Sequence, residues 1–214
     1  RVRWPLRDVR GALTSHTILP DGRIHLRIEH RPLPGVTPGM LAWWYRVLPI
    51  SRVEFDGAVR PMYHLFHPYE HGRIWIERPA ADGRPGVGAG GVVARYEWFG
   101  PYDSKGAARV IELSPRRFVT RPAIAGFAIG EIRHEWGRSP QGATYAVETT
   151  LGVDWPIVGP WVNALLRRRI FSEGMLREWQ RHQVEEVGLL PHFLPALHAQ
   201  RNDSNLYDLE KQGT

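Results

Sequence analysis

The sequence predicts an α+β fold in which a curved antiparallel sheet wraps around one long C-terminal helix, the helix-grip arrangement. Three observations predict it. A hairpin and a short helical section come first, a run of strand-like segments separated by Gly and Pro clusters follows, and apolar residues then recur every three or four positions from Pro160 to Val187. A chain of 214 residues with 43% hydrophobic content can bury one substantial core. Residues 1–199 therefore read as a single domain, and residues 200–214 as a polar tail, extended or frayed.

Each element has a local reason. Thr17 to Ile28 reads as a hairpin with Pro20-Asp21-Gly22 at its turn and Ile24, Leu26 and Ile28 alternating on one face. Thr37-Pro38 is a helix start, the hydroxyl capping and the proline in the first turn, and the helix should end before Pro49. Strands are expected at Met62–Phe66, Arg73–Glu77, Val92–Phe99, Ala107–Leu113, Ala125–Trp136 and Ala143–Leu151. The last helix carries Trp161, Ala164, Leu165, Arg168, Phe171, Met175, Trp179, His182 and Glu186 on one stripe.

Composition narrows the function. Nine Trp, seven Tyr and seven Phe suit a cavity for a flat ligand, although most of them must simply fill the core. The absence of Cys excludes disulfides and thiolate ligands, so a metal would have to be held by His and carboxylates. It also fits a reducing, cytoplasmic location. The net charge of +6 invites a nucleic-acid partner, but the basic residues are mostly scattered Arg, and their one run, Arg167–Arg169, reads as a solvated helix face. No apolar run of about 18 residues exists for a membrane span. Neither nucleic acid nor membrane is expected as a partner.

The chemistry concentrates in two places. His182 and Glu186 are four residues apart, so an imidazole and a carboxylate continue an apolar helix stripe. A carboxylate there costs several kcal/mol unless a cation, a metal or a proton answers it. A buried His–Glu hydrogen bond, or a helix that overruns the core edge and wets Glu186, would also answer it, and Arg168 is on the same stripe. The second place is Tyr63-His64-Leu65-Phe66-His67-Pro68-Tyr69-Glu70-His71, three histidines within eight residues. In a strand, Tyr63 and His67 would face one side, and His71 could swing inward beyond the proline.

The order of several short motifs is itself informative. His30-Arg31-Pro32-Leu33-Pro34-Gly35-Val36-Thr37-Pro38, Trp43-Trp44, the Tyr63–His71 segment, Gly130-x3-His134-x-Trp136, and His182-x3-Glu186 before Leu194-Pro195 resemble, in succession, the diacetylphloroglucinol and phloretin hydrolase family. The resemblance spans residues 25 to 197. It implies a Bet v 1/START-like fold and hydrolysis of the carbon–carbon bond between a phenolic ring and an acyl group by zinc-bound water, zinc (Zn2+) being the cofactor. It further implies His182 and Glu186 as ligands, with His71 preferred to His67 as the third and Glu97 preferred to Glu112 as the fourth. His134 would be the catalytic histidine, and Tyr63 and Tyr145 would orient the ring hydroxyls. The substrate would be a small aromatic polyphenol or polyketide, and a homodimer is compatible with the resemblance. Ile74 stands where the family has an asparagine that holds a second acyl group, so a mono-acylated phloroglucinol or a phloretin-like dihydrochalcone is expected to be cleaved at least as efficiently as the diacylated ring. A non-catalytic carrier of hydrophobic ligands, or a related enzyme with other polyketide chemistry, would use the same cavity.

Overall fold

In a computed structural model, residues 4–202 and 204–210 are described. The main sheet has nine strands. β1 (Ala12–Ile18) and β2 (Ile24–Leu33) form the expected hairpin, and α1 (Pro38–Val47) starts where Thr37 accepts a hydrogen bond from the Met40 amide. β3 (Arg52–Phe55) and β4 (Ala58–Pro61) make a small hairpin, followed by the single-turn helix α2 (Tyr63–Phe66). Then come β5 (His71–Arg78), β6 (Val92–Phe99), β7 (Tyr102–Leu113), β8 (Arg117–Ile124), β9 (Phe127–Ala128), β10 (Gly130–Ser139) and β11 (Gly142–Leu151). The chain continues through α3 (Gly159–Arg169), α4 (Glu173–Ala199) and β12 (Leu206–Asp208).

The sheet order is β1-β2-β11-β10-β8-β7-β6-β5, antiparallel throughout, with β9 on β8. Helix α4 touches both β2, near one edge, and β6, near the other. One helix reaches both only because the sheet curves around it. This is the helix-grip architecture, with the core between the concave face and α4.

Several expectations are corrected. Met62–Phe66 is no strand: Met62, Tyr63, Leu65 and Phe66 are all buried, so the side chains do not alternate, and the segment closes into α2. The C-terminal periodicity is not one helix but two. The first ends at Ile170, and Ser172 starts the second by accepting a hydrogen bond from the Met175 amide at 3.3 Å. Trp161, Leu165 and Arg168 are accordingly exposed on α3 and share no stripe with His182. Helix α4 also runs beyond Val187, through Pro191 and Pro195, to Ala199. Each interior proline costs about 3 kcal/mol, and the complete burial of Leu189, Leu190, Phe193, Leu194 and Leu197 offsets it.

The region Ala125–Trp136 is split into β9 and β10, and β8 before it had no clear alternation to reveal it. In the tail, β12 pairs in parallel with β3 and buries Tyr207 to 2% exposure, so residues 206–208 are anchored. Residues 1–3 of the expected domain, and 203 and 211–214 of the expected tail, lie outside the described residues.

Candidate metal centre and cavity

Four elements deliver the site. On α4, His182 and Glu186 are one turn apart and 0% and 4% exposed. On β6, alternation puts Val93, Arg95 and Glu97 on the concave face. On β5, His71 and Ile74 would face opposite sides of a regular strand, but a register shift after His71 turns both inward. Gly72 permits that irregularity, because a Cβ there would sit 3.0 Å from the Tyr96 carbonyl and 3.1 Å from the Trp98 ring. Helix α2 then brings Tyr63 back over His71, ring on ring, with centroids 3.7 Å apart.

The hydrogen-bond partners fix which nitrogen of each histidine is free. His71 Nδ1 donates to the Tyr63 carbonyl oxygen at 2.9 Å, and His182 Nδ1 donates to Glu70 Oε2 at 2.8 Å. Both Nε2 atoms therefore carry lone pairs, and they face each other at 3.1 Å. Glu186 Oε2 completes the triangle, 3.3 Å from His71 Nε2 and 3.6 Å from His182 Nε2. With Glu186 ionised, three electron-rich atoms meet in a buried place with no donor among them. Ligands at the usual zinc distances of about 2.0–2.1 Å stand about 3.3 Å apart in a tetrahedron, so the spacing and the donor types fit a zinc ion.

Electrostatics points the same way. Burial pushes His71 down to about 3 and lowers His182, which keeps both imidazoles in the ligating form, and it pushes the Glu186 carboxyl up to about 8, so that without a cation a proton answers its charge and a bound metal would displace that proton. A buried His182–Glu186 hydrogen bond does not explain the pair, because 3.6 Å is too long and the His182 proton goes to Glu70. Bulk water does not explain it either, since Glu186 is buried and Arg168 sits on another helix.

The remaining sequence candidates fall into place around this triangle. Glu97 Oε2 is 3.6 Å from His71 Nε2 and accepts the Tyr63 hydroxyl at 2.5 Å, while Oε1 is paired with Arg95. Burial raises its pKa, but Arg95 and the histidines outweigh this and hold it at about 2, so it is an ionised carboxylate at the edge of the cluster. It stands outside the group of His71, His182 and Glu186 whose ligand atoms all lie within 4.8 Å of one another. Glu112 pairs with Arg117 at 2.7 Å near the surface, away from the cluster.

A second compatible group, His67, Glu70 and His182, is already committed to protons. The Glu70 amide donates to His67 Nδ1 at 3.1 Å, so His67 Nε2 carries the proton that Glu185 accepts at 3.0 Å. Arg181 binds both Glu70 and Glu185. Burial raises the Glu70 pKa, but hydrogen bonds from His182, the Gly100 amide and Arg181 bring it down to about 2. Sequence reasoning missed Glu70. Its signal was present, as the residue before His71 and the only carboxylate inside the histidine cluster.

Beside the cluster is a cavity of about 110 Å³ walled largely by apolar side chains, among them Phe66, Ile74, Phe118 and Trp179, with Tyr63, Arg95, His134 and Glu186 on its polar side. Tyr145 does not line it. Tyr45 of α1 does, and its hydroxyl is hydrogen-bonded to that of Tyr145, which in turn meets His134 Nδ1 at 2.9 Å. Tyr45 was also missed, hidden in the aromatic run of α1, where helix packing accounts equally well for any ring.

No family model matches the chain, and no curated protein matches it. Solved structures similar to it include protein Ms6760 from Mycobacterium smegmatis, 11% identical over 92% of this chain and 100% of that one with a TM-score of 0.49. A START superfamily protein from the same organism is 15% identical over 81% of this chain and 99% of that one, at 0.42. The protein Ara h 8.0201 is 11% identical over 78% of this chain and 97% of that one, also at 0.42.

Proposed function

We propose that the protein is a zinc-dependent hydrolase that cleaves the carbon–carbon bond between a phenolic ring and an acyl group. The observation that supports it most is the pair of Nε2 lone pairs facing each other at 3.1 Å beside the buried Glu186 carboxylate. Zinc bound there would acidify a water and polarise the acyl carbonyl. His71, His182 and Glu186 would hold it, with Glu97 at the fourth side. Glu70 and the Tyr63 carbonyl would orient the two imidazoles.

The chain's own residues would handle the ring. The cavity of about 110 Å³ is comparable with the ~150 Å³ that takes up a benzene, so it suits one ring. Phe66, Phe118 and Trp179 would exclude water from it, and Tyr63, Tyr45 and His134 would meet the ring's hydroxyls. His134 would move a proton and hold no metal: its Nδ1 is engaged by Tyr145, and it belongs to neither metal-compatible group.

Metal analysis of protein purified without added metal, followed by assay on an acylphloroglucinol, tests the reading. One zinc per chain with release of a carboxylic acid is expected. A metal-free protein that binds the acylphloroglucinol unchanged would replace the hydrolase with a carrier of aromatic ligands.

A further inference from the structure

Helix α3 turns its polar side inward and its apolar stripe outward. Asn163 is buried and pins the helix to the β1–β2 turn and to Val153: its Oδ1 accepts the Val153 amide at 2.7 Å, and its Nδ2 donates to the Asp21 and Val153 carbonyls at 2.9 Å. Arg167 adds a hydrogen bond to the Gly22 carbonyl. Trp161 and Leu165, one turn apart, are thereby left facing water, Trp161 at 80% exposure. Just ahead of them the Val158 amide donates to the Pro156 carbonyl at 2.7 Å, a γ-turn with Ile157 at its tip. Ile157 has a φ of +67° and is 90% exposed. A β-branched residue at positive φ is strained, and here the strain holds an apolar side chain out in solvent. Phe127 of β9, also exposed, extends the patch through a ring contact with Trp155 at 5.9 Å.

We propose that this face docks on an anionic lipid surface. Arg168 and Arg169 stand one turn beyond Leu165, both exposed and without an acidic partner among the described residues, and Asp154 is the one acid between residues 154 and 170. Exposed rings and aliphatic tips flanked by arginines are what an interfacial helix presents: the apolar side chains enter the headgroup boundary while the guanidinium groups meet the lipid anions. The shape selects lipid over protein. Ile157 and Trp161 project from the surface, and a fluid layer takes up projecting side chains without a matching pocket. A second copy of the chain, which carries a net charge of +6, would bring the same cations against the same face. An interfacial contact needs no spanning helix, so it departs from the expectation of no membrane partner. It does not rest on the hydrolase reading, since none of these residues belongs to the cavity or to the metal-compatible groups.

The test is sedimentation of the full chain with vesicles of phosphatidylcholine alone and of equal parts phosphatidylcholine and phosphatidylserine. Binding to the mixed vesicles, weakened by added salt, is expected. The double variant Ile157→Ser with Trp161→Ser should lose it. Arg168→Gln with Arg169→Gln should weaken it by roughly 30-fold, at about fivefold for each basic residue near an anionic surface. Arg73→Gln with Arg78→Gln removes the same charge from exposed positions on the edge strand β5 and should change it far less. All six positions are exposed, so unchanged melting temperatures are expected of the variants. Wild-type protein that ignores the mixed vesicles overturns the proposal. So does binding that survives the loss of Ile157 and Trp161, or that falls equally with either arginine pair, since each would show only the pull of net charge. Light scattering that finds a dimer broken by Trp161→Ser, without vesicle binding, overturns it as well and gives the face to a second copy of the chain.

Discussion

His182 gives its Nδ1 proton to Glu70 at 2.8 Å and turns its other nitrogen toward Glu186. A carboxylate behind a ligating imidazole fixes the tautomer and raises its basicity. Replacing Glu70 by Gln should therefore weaken zinc binding by about 10- to 100-fold without removing a ligand. Competition with a chromophoric chelator measures it. An unchanged affinity would show that Glu70 serves only the ion pair with Arg181.

The two histidine-rich groups make opposite predictions for neighbouring residues. His71→Ala and His182→Ala should each abolish stoichiometric zinc, because their Nε2 atoms form the facing pair. His67→Ala should keep it, because both His67 nitrogens are already engaged by Glu70 and Glu185. Metal analysis of the three variants decides the matter, and zinc loss on His67→Ala and His182→Ala but not on His71→Ala would move the centre to the other group.

His134 sits at the cavity and outside both metal-compatible groups. His134→Ala should leave zinc content intact and lower turnover by about 10²–10⁴-fold. Equal loss of zinc from His134→Ala and His182→Ala would make His134 a ligand.

Ile74 lines the cavity with an apolar side chain, at the position where the resemblance implies an asparagine that holds a second acyl group. Leaving a buried polar group unpaired costs about 1–3 kcal/mol. A mono-acylated phloroglucinol should accordingly be turned over with higher kcat/KM than the diacylated ring, by roughly 5- to 150-fold. The limited volume makes a two-ring dihydrochalcone a poorer substrate than the mono-acylated ring as well. A preference for the larger compound would require the cavity to open.

His30 is 8% exposed, and among the described residues neither of its ring nitrogens has a hydrogen-bond partner. Burial, with a contribution from Arg7, pushes its pKa from 6.5 to about 3. The unfolded chain therefore binds the proton first as pH falls, and stability should be lost progressively between pH 6.5 and about 3, at up to about 1.4 kcal/mol per unit. His30→Phe keeps a ring against Tyr145 and removes the titration. It should flatten the acid limb of a urea-denaturation series and leave stability at neutral pH equal or higher. An unchanged acid limb would assign the loss to His71 and His134, which are depressed in the same way.

Much of the architecture was legible because it rests on local signals. The Thr37-Pro38 start, the Pro20-Asp21-Gly22 turn and the alternation of Val92–Phe99 each fix an element by themselves. The break at Ile170–Ser172 was not legible from periodicity, since apolar residues on α3 and α4 happen to keep one phase across it; Ser172-Glu173 was the overlooked start signal. The charged pair on α4 was visible because it violates the pattern around it. Which partner answers each charge was not, since Glu70, Arg95 and Tyr45 act through contacts made only when distant strands and helices meet. His71 shows the limit best: its inward direction depends on a register shift at Gly72 that alternation alone would deny.

The facing nitrogens of His71 and His182 belong to residues 111 positions apart, on the edge strand and the last helix. Closing so long a loop is paid for by the whole sheet, and no short stretch of the unfolded chain presents the ligand set. Zinc would therefore arrive late, selecting the finished fold and leaving its nucleation to the sheet. Its effect on stability would follow mass action, about 2.7 kcal/mol at a free concentration one hundred times the Kd. The melting temperature would rise with free zinc, while the refolding rate would stay the same.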